Sequence, residues 1–130
     1  MFPAAVTKYI FTSVSNVVRE IRSWRPRECK TEAQYKHSLF RKLSGEVFRD
    51  EPIMEYGDGR TRADIAFRKN IGIELKLDLD STAKFQRLIG QLADYRRVFD
   101  NTIVVLVGAH DRGLVKELKS RAGWATVVEK

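Results

Sequence analysis

Two seven-residue segments, Thr61–Phe67 and Ile71–Leu77, alternate apolar and polar residues and are joined only by Arg68, Lys69 and Asn70. So short a link between two period-two segments predicts an antiparallel hairpin. Its odd positions, Ala63, Ile65, Phe67, Ile71, Ile73, Leu75 and Leu77, form an apolar face, and Arg60, Arg62, Asp64, Glu74 and Lys76 occupy the other. With Asn70 supplying the left-handed backbone of a three-residue loop, Phe67 pairs with Ile71. The same register sets Asp64 opposite Glu74.

The flanking sequence supplies the rest of a layered domain. Val6, Ile10, Val14, Val17, Val18 and Ile21 recur at helical spacing over 3–21, and 22–30, interrupted by Pro26, reads as a basic linker. Thr31 and Gln34 make a capping box opening a second helix, with Tyr35, Leu39 and Leu43 on one face and Gly45 at its end. A strand is expected over 46–56, before the turn Gly57-Asp58-Gly59. Phe85, Leu88, Ile89, Leu92, Tyr95 and Phe99 give a long helix over 82–99 that covers the sheet. The run 102–107, apolar on both faces, reads as a buried strand, followed by a helix at 114–119 and a strand at 124–128. The order ααβββαβαβ predicts an α/β domain: a mixed sheet, including an antiparallel meander, flanked by helices.

A length of 130 residues fits one domain, organised as an N-terminal helix and linker (1–30), a core (31–108) and a C-terminal helix and strand (109–130). Lys and Arg number 24 against 17 Asp and Glu, a net charge of +7 that favours a polyanionic partner, nucleic acid before membrane. Cys29 is the single cysteine, so neither an intrachain disulfide nor a multi-thiolate zinc site is expected, and a reducing, cytoplasmic interior suits it. No apolar run reaches the roughly 18 residues of a membrane span. Lys8, Thr12, Ser13, Ser15 and Asn16 interrupt 2–18, which lacks a signal-peptide core. No Gly-Lys-Ser or Gly-Lys-Thr occurs, which argues against a nucleotide-driven motor.

Directly opposed residues on antiparallel strands have Cβ atoms roughly 4.5–5.5 Å apart, and two carboxylates that close repel unless a positive charge lies between them. A hard divalent cation, Mg²⁺ or Mn²⁺, is the simplest such charge. Asp64, Glu74 and the Leu75 carbonyl would bind it and leave positions open for water and phosphate. Lys76, two residues beyond Glu74 on the same face, is placed to orient or deprotonate an attacking water and to offset charge in the transition state.

Asp64, ten residues before Glu74, and the triplet Glu74-Leu75-Lys76 resemble the motif of the PD-(D/E)xK nuclease superfamily, with Ala63 where that family usually has proline. Gln91 and Tyr95 resemble the Q-x-x-x-Y pattern of its RecB-like branch, on the helix after the motif strand. Glu32 heads the helical stripe of Tyr35, Leu39 and Leu43, where members often place an acid facing the metal. The resemblance spans 31–108 and implies a restriction-endonuclease-like fold with an αβββαβ core. It also implies Mg²⁺- or Mn²⁺-dependent hydrolysis of phosphodiester bonds in nucleic acid, DNA before RNA, and a similarity to Holliday junction resolvases adds branched DNA to the substrates. In that family's terms Asp64 and Glu74 bind metal and Lys76 positions the water. Glu32 holds a metal-bound water or a second ion, while Gln91 and Tyr95 steady the backbone or the phosphate.

Plainer readings stand beside these. Asp64, Glu74 and Lys76 also suit a solvated hairpin face of weak ion pairs. Glu32 suits a first-turn acid favoured by the helix dipole, with Glu28 and Glu46 as rivals for its role. Tyr95 suits a core aromatic flanked by Gln91. His37 and His110 lack a partner at ligand spacing and read as incidental. Arg25, Arg27, Lys30 and Lys36, with Arg60, Arg62, Lys84 and Arg87 nearer the proposed site, are expected to contact phosphates without sequence preference. The stripe of the first helix is broader than a small sheet needs and suggests a homodimer. A non-catalytic nucleic-acid-binding module of the same fold is the alternative function, and a protein-binding assembly factor is a third.

Overall fold

A computed structural model describes residues 10–45 and 48–130. In these residues lie the strands β1 (Ile53–Asp58), β2 (Thr61–Phe67), β3 (Ile71–Leu77), β4 (Asn101–Val107) and β5 (Thr126–Glu129), and the helices α1 (Val14–Ser23), α2 (Glu32–Ser44), α3 (Thr82–Val98) and α4 (Arg112–Arg121). The strands form one sheet in sequence order. β1, β2 and β3 are an antiparallel meander, whereas β4 and β5 each return through a helix and so lie parallel to their predecessors. The chain is a mixed α/β domain. Among the described residues no helix is long and apolar enough to cross a membrane.

The expected hairpin register is present: Phe67 pairs with Ile71 and Ile65 with Ile73. The left-handed loop residue is Arg68, at φ 51°, and not Asn70. Asn70 is tied down instead: its Nδ2 donates to the Thr12 carbonyl at 3.0 Å, and its own carbonyl accepts from the Asn101 N–H at 2.8 Å. The reversal therefore falls to the exposed first residue of the loop.

β4 shows why its run is apolar on both faces. Ile103, Val105 and Val107 pack with Val17 and Ile21 of α1 and Leu39 and Leu43 of α2. Val104 and Leu106 pack on the opposite side with Phe85, Leu88 and Leu92 of α3 and Val115 and Leu118 of α4. Two helical layers thus sandwich the sheet.

Several boundaries differ from expectation, among them the end of β1 at Asp58, inside the expected 57–59 turn, and the start of β5 at Thr126 rather than at 124. α1 begins at Val14, because the Ser13 side chain accepts the Asn16 N–H as an N-cap and Ile10 pairs instead with Phe48; 3–9 lie outside the described residues. β1 begins at Ile53, after Pro52, rather than at 46. α4 runs longer at both ends, from an Asp111 cap. The α1 stripe is also consumed within the chain: Val17 and Ile21 are fully buried, and Val14 and Val18 pack on the same cluster. The described part of the stripe therefore packs inside the chain, and Val6 lies outside the described residues.

Candidate active site

The site lies where β2 and β3 part. Their ladder ends at Ile65 and Ile73, while β3 stays paired with β4 through Leu77 and Val107. Glu55, which stands opposite Asp64 in the register pairing Met54 with Ile65 and Tyr56 with Ala63, has a left-handed φ of 52°. Next to this distortion the alternation of β2 breaks. Ala63 packs with Ala66, Tyr95 and Phe99 instead of joining Ile65 and Phe67, which corrects its expected place on the odd-numbered apolar face.

A strand that loses its neighbour leaves amide donors without partners, and buried ones are costly. Two acids take them. Asp64 Oδ2 accepts the Leu75 N–H at 2.8 Å, and Glu32 Oε2 accepts the Leu77 N–H at 3.1 Å. Glu32 reaches β3 because the Thr31 capping box starts α2 immediately before it. In a strand the N–H and C=O of one residue point the same way, so the Leu75 carbonyl also faces the fork.

Lys36, one turn after Glu32, bridges these acids: its Nζ is 2.9 Å from Asp64 Oδ1 and 3.4 Å from Glu32 Oε1. Asp64 lies close enough to Glu74 for its charge to act on that carboxyl. Glu74 Oε2 lies 3.8 Å from Lys76 Nζ, and Glu74 Oε1 lies 2.5 Å from the Tyr95 hydroxyl, which is also 3.0 Å from the Arg62 carbonyl. That hydroxyl has one proton to donate between them. Asp64 and Glu74 are only 7% and 3% exposed, a degree of burial acids tolerate only when paired.

The electrostatics follow from this crowding. Burial, and then the neighbouring Asp64 charge, push the Glu74 carboxyl up to about 8 against the contrary pull of Tyr95 and Lys76. That push favours the protonated form of Glu74 in the metal-free chain. Burial lowers the Lys36 amine, but Asp64, Glu32 and Glu74 more than offset it, so Lys36 is held charged. Burial and Glu74 raise the Tyr95 hydroxyl, keeping it a donor.

Gln91 precedes Tyr95 by one turn of α3, and its Oε1 is buried without a hydrogen-bond partner. Lys36, expected on the phosphate-contact surface, is turned inward to the acids. The signal for this was its i, i+4 spacing from Glu32. Lys84 is engaged with Asp80 Oδ1 and the Asp78 carbonyl, each at 3.0 Å, at the start of α3. Arg25, Arg27, Lys30, Arg60, Arg62 and Arg87 are exposed. Glu28 is exposed in the linker, and Glu46 lies outside the described residues. His110 pairs with Glu129 at 3.3 Å.

Among the described residues no three His, Cys, Asp or Glu side chains are gathered as a ready ligand set. The donors present nevertheless suit a hard cation: two neighbouring buried carboxyls, a backbone carbonyl on the same edge, and a lysine already lending positive charge to Asp64. Comparison with protein-family models, curated proteins and solved structures found no match.

Proposed function

We propose that this chain is a metal-dependent nuclease of the PD-(D/E)xK kind, with a restriction-endonuclease-like fold, hydrolysing phosphodiester bonds in nucleic acid, DNA before RNA. The observation that carries the reading is the convergence of buried Asp64 and Glu74, with Lys76 beside them, at one strand fork. A Mg²⁺ or Mn²⁺ ion held by Asp64, Glu74 and the Leu75 carbonyl would supply Lewis acidity and a water of lowered pKa.

The chain's own groups do the rest. Lys76 orients the water and balances charge on the phosphate as the water oxygen bonds to phosphorus and the ester oxygen leaves with a proton. Tyr95 fixes the rotamer of Glu74 through its short hydrogen bond. Glu32 is anchored on the Leu77 amide and serves as the outer acid, and Gln91, one turn of α3 before Tyr95, steadies the backbone or the phosphate. Lys36 is the counter-charge of the metal-free state.

The test compares wild type, Asp64→Ala and Lys76→Ala on labelled linear, single-stranded and four-way-junction substrates, with and without Mg²⁺ or Mn²⁺. Only wild type with metal should cut; equal cleavage by all three would assign the activity to a contaminant. A second reading, a non-catalytic nucleic-acid-binding module, is favoured by one observation: Asp64 and Glu32 already serve backbone amides and Lys36 already neutralises them. Metal-independent binding without cleavage on every substrate would select it.

A further inference from the structure

A second feature adjoins the fork. Trp24, Arg25, Arg27 and Tyr35, with Gly108 and Lys130, line an open pocket of about 470 Å³. Tyr35 immediately precedes Lys36, and Val107 in the pocket wall is the strand partner of Leu77, whose amide Glu32 holds. Adjacent strands lie about 4.8 Å apart, so the pocket wall is one strand away from the end of β3 that Glu32 holds.

Its cations face no acidic side chain in the lining. Arg25 donates to the carbonyls of Arg22 and Trp24, Lys130 donates to that of Arg22, and Arg27 has no hydrogen bond or ion pair among the described residues. Burial, followed by the charges of Arg25 and Arg22, lowers the Lys130 amine. Cations gathered with no acidic side chain in the lining suit an anion from outside.

The remaining wall is aromatic. Trp24 is pinned by its Nε1–H to Ser38 Oγ at 3.0 Å and meets the Tyr35 ring edge-on at 6.4 Å, leaving Tyr35 part-exposed. A pocket of this size holds far more than a phosphate group and falls in the range of small-ligand sites. Bases within a duplex are stacked away from such a wall, whereas an unpaired base stacks on an aromatic side chain readily.

We infer that this pocket takes one unpaired nucleotide, its phosphate on Arg25, Arg27 and Lys130 and its base against Tyr35. The inference rests on the nuclease reading and narrows the substrate to nucleic acid with a single-stranded segment beside the cleavage point.

The test uses Trp124→Phe, which leaves Trp24 as the only tryptophan, in chelator, so that binding is read apart from cleavage. A short single-stranded oligonucleotide, a blunt duplex of the same sequence and inorganic phosphate are titrated by Trp24 emission and by anisotropy. The single strand should change Trp24 emission, and duplex and phosphate should not. Arg25→Ala with Arg27→Ala should reduce the salt slope for the single strand by up to about 0.7, from the one phosphate they help to neutralise. Tyr35→Leu, which keeps an apolar side chain against the core, should weaken single-strand binding about fivefold or more and duplex binding hardly at all. Should Tyr35→Leu fail to melt cooperatively, the exposed arginine pair decides alone. Equal losses on single strand and duplex, or Trp24 emission that ignores the single strand, would overturn the pocket. Cleavage that proceeds while the arginine variant is indifferent sinks the pocket and spares the nuclease; pocket binding without cleavage under any metal does the reverse.

Discussion

Replacing Lys36 with Met isolates the electrostatics of the fork. The ammonium sits 2.9 Å from Asp64 and 3.4 Å from Glu32, and the three side chains are 23%, 10% and 34% exposed. Fully buried pairs cost about 3–5 kcal/mol to break, while exposed ones contribute at most about 1 kcal/mol, so this intermediate site should cost about 1–3 kcal/mol. Unfolding entropy of about 2.1 cal/mol/K per residue converts that to a melting temperature lower by roughly 4–11 °C. Methionine preserves the stem's packing, so the loss is one of charge. A divalent ion brought to the same acids should restore it. Lys36→Met is therefore expected to bind Mn²⁺ about tenfold more tightly than wild type, equivalent to about 1.4 kcal/mol, and to gain more melting temperature from Mg²⁺ at matched ionic strength. Thermal melts followed by circular dichroism and calorimetric titration read both effects. Combining Lys36→Met with Asp64→Asn should recover much of the lost stability, since the uncompensated charge is then gone. An Mg²⁺ shift of the same size in wild type and Lys36→Met would refute the idea that ammonium and metal compete for one place.

Three further outcomes follow from the same geometry. Glu74 holds its proton up to about 8 in the folded state against 4.5 unfolded, so unfolding releases a proton between those values; metal-free stability should be greatest below the lower value and fall as pH rises toward the upper, by at most about 1.4 kcal/mol per pH unit, and Glu74→Gln should flatten that slope in denaturant titrations. Tyr95→Phe removes the hydroxyl from Glu74 and the Arg62 carbonyl and should cost about 1–2 kcal/mol in urea unfolding, with the Glu74 pKa, read by carboxyl NMR, moving further upward; an unmoved carboxyl would show the contact to be unimportant. At Gly72 an added Cβ would come within 2.6 Å of the Phe99 ring, so Gly72→Ala should destabilise by about 1–3 kcal/mol on thermal melting, and a stability equal to wild type would show that the ring yields freely.

The hairpin, α2, α3 and β4 were legible because each is specified locally. A period of two, the Thr31 capping box, a stripe of period 3.6 and a doubly apolar strand each need only a few consecutive residues. What the sequence obscured was decided by distant contacts. Ile10 pairs with Phe48, and Asn70 is held by Thr12 and Asn101, so neither the start of α1 nor the turning residue of the hairpin is encoded where it occurs.

The site divides along the same line. The register that leads toward Asp64 and Glu74 follows from a three-residue loop, although the ladder ends one pair short of them, and the contact of Lys76 with Glu74 follows from their spacing on one strand. The place of Lys36 follows from neither. A ladder that continued past Ile65 would let β2 carbonyls take the Leu75 and Leu77 amides, and Asp64 and Glu32 would have no call to turn into the sheet edge. Only the parting of the strands, beside the left-handed Glu55, creates two vacant amides, draws in two acids and so creates a demand for a cation one helical turn from Glu32. Glu-to-Lys spacing of i, i+4 is commonplace on solvated helices and contributes little there. What gives the pair consequence here is the buried acid on the far side, a fact of tertiary structure that no local pattern in α2 contains.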